Sequence, residues 1–99
     1  MSIDQYPEEV RRDILQAIGV LKRLGARDVY LFGSVLSSKD PTAIGDIDIA
    51  VSGLEPSKFF AAYGALTMAL DYPFDLVDLD NEAAFVQTLR EKGHLERVA

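Results

Sequence analysis

Apolar residues recur at Val10, Ile14, Ile18 and Leu21, with Ala17 and Leu24 beside them, a spacing that gathers them on one stripe of a helix. The pattern predicts a helix over about Pro7–Leu24. Pro7 suits its first turn, Glu8 and Glu9 sit at the positive end of the helix dipole, and Gly25 is a stop. Arg11, Arg12, Lys22 and Arg23 fall off the stripe, where solvent is expected to take them. The period then changes. Val29–Phe32 is β-branched and aromatic without a breaker and reads as a short strand. Ser34–Gly45 is polar and rich in breakers, with room for one helical turn at Ser34 before Asp40-Pro41 interrupts it. Ile47–Val51 is a second strand, closed by Ser52-Gly53.

Pro56 opens a second long helix, Glu55 to about Leu70, with Phe59, Tyr63, Leu66 and Leu70 at helical spacing. Tyr72-Pro73 turns the chain into a third strand, Phe74–Leu79. Asp80 or Asn81 caps a helix containing Ala84, Phe85, Thr88 and Leu89, which Gly93 ends. Leu95–Val98 is compatible with an edge strand or with a frayed tail. The order of elements predicts an α/β (α+β) fold, a small mixed sheet flanked by helices, with the helices on one face. The helix between the second and third strands is long enough for a parallel crossover.

With 99 residues, 48% of them apolar, the chain has material for a single domain, 1–99, and too much hydrophobicity for general disorder. No apolar run is long enough to cross a bilayer, and MSIDQYPEEV has neither the basic start nor the apolar core of a secretion signal. The lack of cysteine excludes disulfides and thiolate metal sites and fits a reducing cytoplasm. Ten basic against 16 acidic residues give a net charge of -6, which disfavours direct binding to nucleic acid. A nucleotide bridged by cations, or a basic protein partner, remains compatible with that charge.

The candidate chemistry lies in LFGSVLSSKDPTAIGDIDIAV. Residues two apart on a strand share a face, so Asp46 and Asp48 point one way and Ile47 and Ile49 the other. Packing explains the isoleucines and leaves the paired like charges unexplained. Without a cation the pair repels itself, which raises the pKa of one acid. Mg²⁺, a hard ion that takes carboxylate and phosphate oxygens, turns the repulsion into attraction. The plain alternative is a solvated sheet edge beside a turn. Gly33 permits positive φ or the close approach of a phosphate, and Ser34 adds a hydroxyl donor. A third acid comes from Asp75 or Asp78, which a regular strand sends to opposite faces. Asp75, at the start of its apolar segment, is favoured. Three carboxylates on two metal ions would support in-line attack at phosphorus, with Asp75 helping to deprotonate the attacking hydroxyl. His94, the only histidine, is expected at the surface or in packing. Tyr30, Phe32 and Tyr63 are expected as core or face residues rather than stacking platforms.

Gly33-Ser34, a loop, Asp46-Ile47-Asp48 and the later Asp75 together resemble the motif of minimal nucleotidyltransferases of the DNA polymerase β-like superfamily. The likeness is to the small MNT or MntA-like antitoxins that pair with HEPN ribonuclease toxins, and it covers nearly the whole chain. It implies a small mixed sheet with flanking helices, ATP as substrate, two Mg²⁺ ions and transfer of AMP to a tyrosine of the toxin. Carried over, Gly33 and Ser34 hold the triphosphate, and Asp46, Asp48 and Asp75 hold metal. The chain departs from the motif at Ser37 and Ser38, where an arginine and a glycine are usual, and at Gly45, where serine is common. A positive group near the phosphates is thereby missing, which implies weaker nucleotide binding or help from a partner's basic residue. Two other readings stand beside this one: a noncatalytic antitoxin that covers its partner, and a transferase acting on a small molecule.

Overall fold

Helix α1, Glu8–Arg23, buries Val10, Ile14, Ala17, Val20 and Leu21. Its acidic first turn and basic last turn both oppose the helix dipole favourably. It stops at Gly25, whose φ of +102° suits a residue without a side chain. The chain then enters β1, Asp28–Phe32, which is followed by one turn of helix, α2, Ser34–Ser37. The computed structural model describes residues 3–37, 45–81, 84–92 and 94–99. The expected break at Asp40-Pro41 and the stop at Gly93 lie outside the described residues.

Strand β2, Ile47–Ser52, pairs antiparallel with β1. A 3-10 turn, Pro56–Lys58, leads into α3, Phe59–Ala69, which crosses over to β3, Phe74–Asp78, parallel to β2. Helix α4, Ala84–Lys92, is followed by β4, Glu96–Arg97, antiparallel to β1. The sheet order is β3-β2-β1-β4. The last segment is thus an edge strand, secured beyond its two paired residues by Val98 N–H donating to the Val29 carbonyl at 2.8 Å. The cap expected at Asp80 or Asn81 involves the connection through residues 82 and 83, outside the described residues.

The core is double. Val29, Leu31, Ile47, Ile49, Val51 and Leu76 point to the face covered by α1 and α3. Phe32, Ala50 and Val77 point the other way and pack with Val86 and Leu89 of α4. The expectation of helices on one face is corrected here, because the alternate positions of β1 and β2 are themselves apolar and need cover. The stripe expected on α3 is also rearranged. Ala62 and Leu66 are buried, whereas Tyr63 is exposed and stacks at an angle on Phe74, with ring centroids 5.1 Å apart.

Candidate active site

Strand register builds the site. In the β1–β2 pair, Phe32 stands opposite Asp48, and in the parallel β2–β3 pair Asp48 stands opposite Asp75. Asp48 shares its face with Ala50, and Asp75 shares its face with Val77, so both carboxylates emerge on the face that α4 covers farther along the strands. Asp46 is exposed, one residue before β2 begins, with the same parity as Asp48.

The two opposed acids interact directly. Burial pushes the Asp48 carboxyl above its usual pKa, and the charges of Asp75 and Asp46, with a hydrogen bond to Asp75, push the same way. A cation between the carboxyls would relieve that repulsion.

Gly33 belongs to this group. Its φ is +75°, and a Cβ there would lie 3.0 Å from the Asp48 Cγ and closer still to Oδ2. Glycine is needed both for the backbone turn and for the room that the Asp48 carboxylate takes. Ser34 follows as the first residue of α2, and the Leu36 N–H donates to the Gly33 carbonyl at 3.0 Å.

Other residues stand apart. Asp78 has the opposite parity to Asp75, and its Oδ1 accepts the Asp80 N–H at 2.9 Å. His94 is exposed, 3.1 Å from Glu96. Ser37 closes α2, and Ser38 lies outside the described residues. Phe32 is buried and Tyr30 half-buried, both packed in the second core cluster. Among the described residues, no three histidines or carboxylates form a ready-made metal cage.

Asp13 is the positioning residue that the sequence reading passed over. It is 1% exposed, and its Oδ2 accepts the backbone N–H groups of Asp71 at 3.0 Å and Tyr72 at 2.8 Å. Those amides lie in the turn that delivers β3, and the neighbouring Pro73 carbonyl accepts the Ile47 N–H at 2.9 Å. Asp13 thus ties α1 to the turn that sets Asp75 against Asp48. The available signal was an acid three residues after Val10 and four before Ala17, inside the apolar stripe.

Solved structures of known proteins contain chains of the same fold. One, in a tyrosine-to-alanine mutant of the MntA toxin–antitoxin complex, is 30% identical with a TM-score of 0.57, over 83% of this chain and 68% of that one. Another, in a toxin–antitoxin structure with AMP-PNP, is 28% identical with a TM-score of 0.58, over 82% of this chain and 69% of that one. A third structure, of a mutant with two aspartates two positions apart changed to glutamate, gives 27% identity and a TM-score of 0.56, over 79% of this chain and 66% of that one. The chain therefore spans about two thirds of the length of the chains it matches. No protein-family model matches it, and no curated protein does.

Proposed function

The chain belongs to the MntA-like minimal nucleotidyltransferases of toxin–antitoxin systems, and from that premise we propose that it is a Mg²⁺-dependent antitoxin that transfers AMP from ATP to a tyrosine hydroxyl of a HEPN-type toxin. The observation that best supports the reading is the contact of Asp48 with Asp75 against the backbone of Gly33. Two carboxyls set opposite each other on paired strands form a hard, oxygen-only donor set, which is what Mg²⁺ prefers. Asp48 and Asp75 would hold the metal, with Asp46 completing the set from the end of its loop. When bound, Mg²⁺ would supply charge neutralisation at the phosphates and at the entering oxygen.

The chain's own residues do the rest. Gly33 and Ser34 would meet the triphosphate at the turn after β1, where Gly33 supplies the positive φ and the room for Asp48 and Ser34 a hydroxyl donor. In the transfer, the tyrosine oxygen bonds to the α-phosphorus as the bond from that phosphorus to the bridging oxygen breaks. Pyrophosphate leaves, and the phenolic proton passes to Asp75 and on to solvent. Asp48 and Asp46 supply the other acidic groups that would hold cations at this edge.

A noncatalytic antitoxin is the second reading, favoured by the lack of a ready-made three-acid cage among the described residues and by Ser37. One experiment separates the two. The chain is incubated with ATP, Mg²⁺ and the product of its neighbouring gene, and intact masses are measured. A gain of one AMP on the partner, lost in the Asp46→Asn, Asp48→Asn double variant, supports catalysis. Inhibition of the partner without added mass favours neutralisation by binding alone.

A further inference from the structure

Helix α3 is apolar on every side. Its sequence, FFAAYGALTMA, has Thr67 as its only polar residue apart from the Tyr63 hydroxyl. Its own core needs only part of it: Ala62 and Leu66 are fully buried against the sheet and α1. The other side carries Phe60, 85% exposed, Tyr63, 44% exposed, and Met68, 88% exposed. At 100° per residue these three lie within one arc of the helix, so they form a face rather than scattered residues. A helix apolar all round is expected to be covered all round.

The face continues into an open groove of about 400 Å³ over the β3 edge of the sheet. It is lined by Phe59 and Phe60, by Leu76 and Val77 from the two faces of β3 and by Val86, with Asp78 as the charged residue in its lining. Asp78 accepts the Asp80 N–H through Oδ1, which leaves its charge at the groove. Val77 follows Asp75 by two residues on the same face of β3.

We propose that α3's outer face and this groove form the docking surface for the toxin subunit, which presents apolar side chains beside a lysine or arginine. The inference rests on the toxin-partner reading above and adds to it where the partner sits. Charge selects this occupant. A second copy brings another -6 to a surface that already carries Asp78, whereas a basic partner complements it. Lys58, exposed at the start of α3, is the basic residue nearest in sequence to this face and does not offset that balance. Position agrees with charge in that one strand, β3, carries both the groove's Val77 and Asp78 and, two residues before Val77, Asp75.

The test measures binding of the neighbouring-gene product to the full chain by calorimetry, at low and at moderate salt. Phe60 and Met68 are so exposed that alanine leaves the fold intact, which the thermal midpoint of the free chain verifies. The Phe60→Ala, Met68→Ala variant should bind at least about 30-fold more weakly. Asp78→Asn, which keeps the acceptor for the Asp80 N–H, should bind more weakly and with a smaller salt dependence. Undiminished binding by the Phe60→Ala, Met68→Ala variant overturns the surface and leaves the partner reading standing. A free chain that sediments as a dimer, and as a monomer once Phe60 and Met68 are replaced, assigns the face to a second copy and overturns the proposal. A wild-type chain that does not bind the product at all overturns both the partner reading and the surface built on it.

Discussion

Gly33 lies so close to Asp48 that a Cβ at residue 33 would stand 3.0 Å from the Asp48 Cγ and closer still to its Oδ2, so that the carboxylate would have to shift. The turn after β1 and the acid at the start of β2 therefore depend on each other. Gly33→Ala adds both that collision and the cost of a φ of +75° for an L side chain. It should destabilise the fold by about 1–3 kcal/mol, read from urea unfolding. In an Asp48→Ala background the same change should cost less, since the collision is gone and only the dihedral cost remains. Equal costs in the two backgrounds would show that the contact carries none of the effect.

Asp48 makes stability depend on pH with an unusual sign. Its carboxyl is raised, first by burial and then by Asp75 and Asp46, so the folded state binds its proton more tightly than the unfolded chain does. Stability from this group is then greatest below the ordinary carboxylate pKa and falls as pH rises through the raised value. Asp48→Asn should be more stable than wild type at neutral pH without metal, and the difference should shrink as pH drops toward 4. Denaturant midpoints of the two proteins at several pH values check this.

Mg²⁺ should reverse that penalty by balancing the charges that Asp48, Asp75 and Asp46 bring together. The thermal midpoint of the wild type should rise with Mg²⁺ concentration, as expected of a ligand that binds only the folded chain, and chelator should return it. Asp46→Asn, Asp48→Asn should show little rise. A rise of the same size in both proteins would place the ion elsewhere.

Asp13→Ala leaves two partly buried turn amides, those of Asp71 and Tyr72, without their acceptor. A loss of about 2–4 kcal/mol is expected. Asp13→Asn retains an acceptor oxygen and should lose less. Because this turn delivers β3, the alanine variant should also lower AMP transfer while leaving the acids themselves unchanged.

Asp75→Asn removes the carboxylate proposed to receive the phenolic proton. AMP transfer under saturating ATP and partner should fall by about 10²–10⁴-fold, measured by intact mass against time. A variant as fast as the wild type would assign the third acid elsewhere.

Much of this molecule was legible in the linear pattern. Periods of 3.6 and 2, with Pro7, Gly25 and Pro56 as punctuation, give α1, β1, β2, α3 and β3 close to their observed bounds, since local sterics and burial act over a few residues. The alternation of Asp46 and Asp48 with Ile47 and Ile49 likewise determines that the two acids share a face. The position of Asp75 at the start of its apolar segment favours it over Asp78 as the later acid, and strand register, which no local pattern carries, stands Asp75 opposite Asp48 while Asp78 has the other parity. Register also turns Leu95–Val98 into an edge strand, because β1 has a free side to pair with. Packing decides that α4 covers the second face, that Tyr63 faces outward and that Asp13 is buried. Each of these depends on which surfaces meet across tens of residues, and a local pattern carries no record of that meeting.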